Sequence, residues 1–192
     1  MSRKEGGKKN VYLPVLSTVK WLLILAVSAY LLVAFVVQRA DVYGNSMEPV
    51  LTEGDVVLVD KLAPRLGGLD RFDMVVFRYR YRENRYYIKR IIALPGETVQ
   101  ISDGKILING EILEEAYGTE PIEKAKRAEE PVTLGEDEYF VLGDNRNHSS
   151  DSRDSDIGNL ARSEIIGRVM VRIWPWSKIG TFPAGGSCDG TE

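Results

Sequence analysis

The segment that decides the fold is Arg85-Tyr86-Tyr87-Ile88-Lys89-Arg90-Ile91-Ile92-Ala93, the longest stretch of the chain with β-strand character. Its tyrosines and β-branched isoleucines favour a strand, and Pro95-Gly96 closes it with a turn. The valine-rich segment 74–79 precedes it and is joined to it by the charged turn at 82–84. The two segments are therefore predicted to pair as antiparallel strands.

Shorter β-like segments fill much of the remaining chain, at 55–60, 98–101, 105–108, 138–142 and 167–173. Turns at Asp103-Gly104 and Asn109-Gly110 have strong hairpin chemistry. The sequence therefore predicts a mainly β fold, in which 41–97 and 134–180 form one antiparallel β-sheet domain. Residues 98–133 are interpreted as a small inserted β subdomain, and the Gly-rich residues 181–192 as a flexible tail.

The N-terminal part of the chain has the pattern of a membrane anchor. Residues 1–20 carry five basic residues against one acidic residue, and 21–37 contain no charge. As a helix, 21–37 is about 25 Å long, and Lys20 and Arg39 reach the two interfaces of a bilayer by extending their side chains. A single N-terminal transmembrane helix is therefore predicted, with 1–20 in the cytoplasm and the β domain on the outer side.

A cleaved secretory signal is the alternative interpretation of the same segment, because it begins with a similar basic flank. The apolar run is longer than the hydrophobic part of a usual signal, however. The junction at 37–40 also lacks small residues at both positions that cleavage requires. These features favour an uncleaved anchor.

Composition excludes several classes of partner. The net charge is −3 with 28% charged residues, a balance that provides no basic face for nucleic acid. The single cysteine, Cys188, cannot form an internal disulfide bond, and the chain has no Cys/His spacing typical of a metal site. We therefore predict no nucleic-acid partner, no metal and no cofactor.

The run Tyr43-Gly44-Asn45-Ser46-Met47-Glu48-Pro49 contains the candidate nucleophile, Ser46. Gly44 permits a positive φ and Pro49 fixes its own φ, so the run is predicted to turn and to hold the hydroxyl of Ser46 outside any strand. An ordinary turn serine is the alternative interpretation. A nucleophilic serine also needs a base, because a free hydroxyl is protonated at neutral pH.

Two residues are candidates for that base, Lys89 and His148. Side chains alternate along a strand, so either Lys89 or Arg90 shares a face with apolar neighbours. A lysine there loses hydration of its charged form, which lowers its pKa; otherwise Lys89 is a surface residue of an edge strand. His148, the only histidine, lies close in sequence to Asp144 and Asp151, so a Ser-His-Asp triad is also available.

Four blocks of the chain form an ordered set. They are Ser46-Met47-Glu48-Pro49-Val50-Leu51; Gly54-Asp55-Val56-Val57-Leu58-Val59-Asp60-Lys61; Tyr87-Ile88-Lys89-Arg90-Ile91 with Leu94-Pro95-Gly96-Glu97; and Gly143-Asp144-Asn145-Arg146 with Ser149, Asp151, Ser152 and Arg153. The set resembles that of the bacterial type I signal peptidases, the membrane-anchored leader peptidases. The similarity extends from the predicted anchor to Ile179, and four blocks in this order are highly specific for the family.

The resemblance implies a serine endopeptidase with a Ser-Lys dyad, in which Ser46 is the nucleophile and Lys89 the general base. Ser149 matches a loop serine that hydrogen-bonds the lysine and orients it. The remaining matches are structural positions of the same loop, held by ion pairs, and they are Asp144, Arg146, Asp151 and Arg153. His148 matches a position that is commonly asparagine, which assigns it to the loop.

The resemblance also implies the reaction, which is removal of signal peptides from exported preproteins after small residues, at the bacterial cell membrane and in contact with its bilayer. The main-chain N–H of Ser46 is expected to stabilise the oxyanion. Some relatives carry a helping serine where this chain has Gly44, so a second donor is not identified. Further departures from the family pattern are Val50 for threonine, Ala93 for glycine and Glu97 for aspartate.

Other functions remain open on the sequence alone. One is a Ser-His-Asp hydrolase that uses His148. Another is a non-catalytic, membrane-anchored β domain that binds exported chains or cell-wall partners. A cytosolic self-cleaving regulator with a similar dyad is the last, and the predicted anchor argues against it.

Overall fold

The computed structural model describes residues 12–79, 86–118 and 120–182. The chain divides into two compact units, one before and one after the bond between Val36 and Val37. The helices are α1 (Tyr12–Val36) and α2 (Ala63–Leu66), with short 3-10 helices at Lys126–Glu129, Arg146–His148, Arg162–Glu164 and Trp176–Lys178. The strands are β1 (Val37–Asp41), β2 (Val56–Asp60), β3 (Met74–Arg78), β4 (Tyr86–Ala93), β5 (Thr98–Ser102), β6 (Lys105–Ile108), β7 (Glu111–Ile112), β8 (Val132–Thr133), β9 (Glu138–Leu142), β10 (Leu160–Ala161), β11 (Ile165–Trp174) and β12 (Gly180–Thr181).

The first unit contains α1, a helix of 25 residues. Apolar side chains along it are exposed, among them Leu16, Trp21 and Leu25. Among the described residues, none of the helices combines the length and hydropathy needed to cross a bilayer. Helical structure over 21–36 is thus confirmed, whereas the predicted membrane span is not.

The larger sheet of the second unit is antiparallel, and its strands follow the order β1-β2-β11-β3-β4-β9-β10, with β12 paired to β11. The predicted pairing of 74–79 with the long strand is confirmed, because β3 pairs with β4 and places Val75 opposite Lys89. On its other side β4 pairs with β9, with Arg90 opposite Leu142. β4 therefore lies inside the sheet, and the mainly β prediction holds.

The smaller sheet has the order β7-β6-β5-β8 and lies within 98–133. Its apolar residues share one core cluster with the larger sheet, since Val99 and Ile106 pack together with Ile92 and Phe140. The second unit extends over both sheets. The division into a main domain and an inserted subdomain therefore stays a prediction.

Strand β1 differs from the sequence interpretation, which assigned Val37 to the apolar helix and began the β domain at residue 41. β1 pairs antiparallel with β2 along its whole length, from Val37 opposite Asp60 to Asp41 opposite Val56. It is the terminal strand of the sheet order, and Gln38, Arg39 and Asp41 are exposed. Polar residues are usual on an edge strand, so the segment has no apolar alternation to identify it.

Some predictions concern residues beyond the described part of the chain. Residues 1–11 of the predicted cytoplasmic segment and 183–192 of the predicted tail lie outside the described residues, as does the charged turn at 82–84. Thr181, the first residue of that predicted tail, is part of strand β12 together with Gly180.

Candidate active site

The turn that carries Ser46 is fixed by its neighbours. Met47 and Leu51 are buried in the core, and the amide of Leu51 donates to the carbonyl of Met47 at 2.9 Å. Gly44 has φ +78°, a conformation that glycine adopts without strain. Because the next side chain is anchored in the core, the partly exposed Ser46 presents its hydroxyl at the surface of the turn.

Lys89 lies in direct contact with Ser46. Its Nζ donates to the Oγ of Ser46 at 2.6 Å and to the carbonyl of Ile88 at 3.1 Å. The ring centroid of Tyr87 lies 5.2 Å from the same nitrogen. Lys89 is only 3% exposed, so its charged form is poorly hydrated.

Burial lowers the pKa of Lys89 from 10.5 to about 8, against the opposing attraction of the Asp151 and Asp144 carboxylates. The two carboxylates favour the charged amine, but each already pairs with an arginine. Desolvation therefore outweighs the charge attraction. A substantial fraction of the Lys89 amines is neutral near pH 8, which is the form that a general base requires.

Strand alternation predicted that either Lys89 or Arg90 faces apolar neighbours, but the structure buries both side chains. Arg90 is 3% exposed, like Lys89. Its Nε and Nη2 donate to the two carboxylate oxygens of Asp144 at 2.8 and 2.6 Å, and its Nη1 donates to the carbonyl of Phe72 at 2.7 Å. Arg90 thus keeps its charge by pairing, whereas Lys89 has no such carboxylate contact among the described residues.

The loop after β9 packs directly on the Ser46 turn. The amide of Asn145 donates to the carbonyl of Ser46 at 3.1 Å, and the Asn145 side chain donates to the carbonyl of Asn45 at 3.1 Å. A Cβ at Gly143 would overlap both the carbonyl oxygen of Ser46 and the Oγ of Ser149. Only glycine therefore allows the loop to approach the turn this closely.

Ion pairs hold this loop. Asp151 accepts from the Nε and Nη2 of Arg153 at 2.8 and 2.9 Å and from the amide of Gly143 at 3.2 Å. Arg146 pairs with Glu115 and donates from Nε to the carbonyl of Gly143 at 3.0 Å. Arg146, Asp151 and Arg153 are all buried, so the loop is a rigid support.

Ser149 and His148 belong to the same loop. Ser149 lies beside Gly143, and its buried Oγ has no hydrogen-bond partner among the described residues, so the predicted bond from Ser149 to Lys89 is not made in this structure. The Lys89 amine points to Ser46 and Ile88 instead. His148 is exposed and is not among the described residues that line the cavity beside Ser46.

That cavity has a volume of about 230 Å³ and is lined by residues of the Ser46 turn, the end of β1 and the start of β4, including Lys89. A wider groove of about 640 Å³ continues along β1 and shares Tyr43, Tyr86 and Tyr87 with it. Strand β4 pairs with β9 only from Arg90 onward. Within the described residues, the edge of β4 at 86–89 that lies on the β9 side is therefore unpaired and open to an extended chain.

Two residues within 98–133 were not found from the sequence. They are Glu115, which contacts Arg146, and Tyr117, which contacts Arg90. Glu115 lies in a charged stretch, and no local pattern connects it to Arg146, 31 residues further along the chain. Among the described residues, no group of three or more His, Cys, Asp or Glu side chains is arranged to hold a metal ion.

Comparison with known proteins identifies the family. Residues 15–174 match the sequence model of the family described as "Signal peptidase, peptidase S26". The chain belongs to this family. The match extends over both the Ser46 turn and the loop after β9, so all the candidate residues lie in the part that the family shares.

Two relatives agree with this assignment in sequence. The chain is 34% identical to "Probable signal peptidase I-2" of Synechocystis sp., with 93% of this chain and 80% of the relative covered. It is also 34% identical to "Signal peptidase I" of Bacillus licheniformis, covering 92% and 96% of the two chains. The crystal structure of a signal peptidase I from Enterococcus faecalis aligns with 33% identity and a TM-score of 0.43, over 52% of this chain and 94% of that one.

The predicted activity is thereby confirmed at the level of the family: the signal peptidase is a serine endopeptidase that cleaves signal peptides. The Ser-His-Asp hydrolase and the non-catalytic binding domain are not favoured.

The burial of Lys89 predicts a pH-dependent gain in stability for Lys89→Met. The folded state binds the Lys89 proton more weakly than the unfolded chain, so this residue makes wild-type stability rise between about pH 8 and 10.5. Below pH 8 its charged burial costs about 3 kcal/mol, a cost that methionine removes. Urea unfolding from pH 6 to 10.5 should show Lys89→Met more stable at low pH, with the difference shrinking by about that amount as pH rises.

Lys105→Met, which removes an exposed lysine from β6, is the matched control for this comparison. A stability difference between wild type and Lys89→Met that stays constant across this pH range would contradict the desolvated amine.

Proposed function

We propose that Ser46 is the nucleophile and Lys89 the general base of this signal peptidase. The observation that carries the proposal is the 2.6 Å contact between Lys89 Nζ and Ser46 Oγ, made by an amine that is almost fully buried. When Lys89 is neutral, the same contact lets its nitrogen accept the hydroxyl proton. The lowered pKa of Lys89 makes that neutral form accessible under mildly alkaline conditions.

In the acylation step, Ser46 Oγ attacks the carbonyl carbon of the scissile peptide bond while its proton passes to Lys89 Nζ. The C–N bond then breaks, and Lys89 returns the proton to the departing amine. In deacylation, a water molecule attacks the ester carbonyl and gives its proton to Lys89. The Ser46 oxygen leaves, takes up that proton and restores the starting state.

The main-chain N–H of Ser46 is the proposed donor to the oxyanion that forms in both steps. No atom of the described residues lies within 4 Å of where a Cβ of Gly44 would be, which supports access of the substrate carbonyl to this side of the turn. A backbone donor at the turn does not depend on a side-chain hydroxyl at position 44. This agrees with glycine at a position where some relatives carry a serine.

We further propose that the signal peptide binds extended along the unpaired edge of β4 at 86–89. Addition of a strand to an open sheet edge supplies backbone hydrogen bonds without any demand on side-chain identity. The small cavity of about 230 Å³ beside Ser46 supports acceptance of small side chains at the cleavage position. The wider groove along β1 offers room for a further side chain of the same peptide.

The residues around Ser46 and Lys89 support the pair through different contacts. Asp144 and Asp151 hold Arg90 and Arg153, and they also favour the protonated lysine. We propose that Asp144, Arg146, Asp151 and Arg153 keep the loop rigid against the Ser46 turn. The orphan Oγ of Ser149 is the proposed partner of the lysine after a proton transfer, when the amine no longer donates to Ser46.

The dyad predicts a clear pattern of activity in the full-length protein, solubilised in detergent and incubated with a preprotein. Ser46→Ala and Lys89→Met should each lower the cleavage rate by about four orders of magnitude or more, because the nucleophile or its base is lost. His148→Ala and the control Lys105→Met should cleave at rates close to wild type. Band shifts of precursor to mature protein measure the rates, and retained cleavage in Ser46→Ala or Lys89→Met would refute the dyad.

We propose that the enzyme acts at the bacterial cell membrane, held there by the uncharged helical segment 21–36, with its catalytic unit on the outer side. The support is the run of exposed apolar side chains on α1 and the basic residues before it. A preprotein held in the bilayer by its own signal sequence would then meet the enzyme at the same surface.

The single cysteine makes this topology testable. Cys188 should react with a membrane-impermeant maleimide in right-side-out vesicles without detergent, and Cys188→Ser should remain unlabelled. Ser2→Cys in the Cys188→Ser background should react only in inside-out vesicles. Labelling of Cys188 only from the inner side, or release of the protein by alkaline carbonate, would contradict the proposed anchoring.

A further inference from the structure

Residues 115–118 make three contacts with Arg146, a buried arginine of the loop after β9. The carboxylate oxygens of Glu115 accept from Nη1 and Nη2 of Arg146 at 2.5 and 2.7 Å. The carbonyl of Tyr117 accepts from the same Nη2 at 3.3 Å. Gly118 has φ +79°, and a Cβ there would lie 2.7 Å from the Cζ of Arg146, so glycine lets the backbone lie flat against the guanidinium.

Tyr117 of the same segment also covers the second buried arginine, Arg90. The Tyr117 ring centroid lies 3.5 Å from the Cζ of Arg90, within the range of a cation–π contact. The Tyr117 ring packs in turn on Phe72, whose carbonyl accepts from Arg90. Arg90 is thus enclosed by the Asp144 carboxylate, the Phe72 carbonyl and the aromatic face of Tyr117.

Both arginines are connected to the reacting groups through the backbone. Arg90 follows Lys89 directly on β4. Arg146 donates to the carbonyl of Gly143, the residue whose backbone lies against the Ser46 carbonyl, and its own carbonyl accepts from Arg153. A shift of either guanidinium would therefore move the backbone that sets the distance between Ser46 and Lys89.

We propose that residues 115–118 form an arginine clamp, in which Glu115 and Tyr117 are positioning residues for the Ser46–Lys89 pair. This inference rests on the proposed function of that pair. It gives the inserted segment a role in the reaction: the insertion supplies the partners that two buried arginines of the catalytic sheet and loop need. Neither clamp residue touches the nucleophile or the base.

The physical basis is the cost of an uncompensated buried charge. The Arg146 side chain is 2% exposed, and Glu115 is its carboxylate partner in the structure. Removing one partner of a buried ion pair leaves a charge that the loop can accommodate only by moving toward water. Because the loop donates from Asn145 to the carbonyl of Ser46, that movement would displace the nucleophile.

The test compares steady-state cleavage of a signal-peptide substrate by full-length variants, normalised to folded protein by circular dichroism and thermal melting. Glu115→Gln should lower kcat by about 10- to 100-fold, because small misplacements of reacting groups have effects of that size. KM should change by no more than about twofold, since the peptide-binding edge of β4 is untouched. Glu115→Asp should restore part of the loss.

Glu114→Gln is the matched control, because it removes the same charge from the exposed neighbouring residue and should leave kcat unchanged. Tyr117→Leu, which removes the aromatic face over Arg90, provides an independent variant and should also lower kcat. Tyr117→Phe keeps the face and should retain more activity than Tyr117→Leu.

Unchanged kcat per folded molecule in Glu115→Gln and Tyr117→Leu would overturn the clamp, as would losses that match only a fall in folded fraction. Ser46→Ala in the same assay separates the two claims. Residual turnover in Ser46→Ala would refute the proposed nucleophile, whereas an inactive Ser46→Ala with unaffected Glu115→Gln would refute the clamp alone.

Discussion

The site depends on the removal of one amine, that of Lys89, from water. Two neighbouring cations on β4 are buried to the same extent, yet within the described part of the chain only Arg90 has a carboxylate against its charge. Lys89 has the Ser46 hydroxyl and a main-chain carbonyl as its hydrogen-bond acceptors. Its charged form is therefore the less stable one, which supports the proposed role of Lys89 as the general base.

The carboxylates near Lys89 are paired with arginines, which preserves the lowered pKa of the lysine. Asp144 and Asp151 would hold the Lys89 proton tightly if they were free, but Arg90 and Arg153 share their charge. Arg146 joins the same loop to Glu115, which lies within 98–133. In the proposed mechanism, these long-range ion pairs keep rigid the loop that lies against Ser46, and they weaken the attraction of the carboxylates for the Lys89 proton.

Much of this site was predictable from the sequence, and the failures have physical reasons. The Ser46 turn is recognisable in the sequence from its glycine and proline, and strand β4 from its β-branched residues. Strict alternation failed for Lys89 and Arg90 because core clusters cover both faces of β4, with Ile88 in one, Ile91 in another and Ile92 in a third. Strand β1 was missed because a polar edge strand has no apolar pattern. The contacts of Glu115 and Tyr117 were missed because side chains that pair across about 30 residues leave no local signal in the sequence. The expected bond from Ser149 to Lys89 is absent from the described residues: the amine donates to Ser46 and to the Ile88 carbonyl, and the structure gives no reason why Ser149 is not a third acceptor.

The most direct test of this account is a titration of the Lys89 amine itself, by NMR of the full-length protein with isotope-labelled lysine side chains. Comparison with Lys89→Met assigns the resonance, and the pH is varied from 6 to 11. The account predicts a Lys89 pKa of about 8, and a return toward the ordinary range when Ser46 and its cavity are opened to water by unfolding. A Lys89 amine that titrates near 10.5 in the folded protein would contradict it.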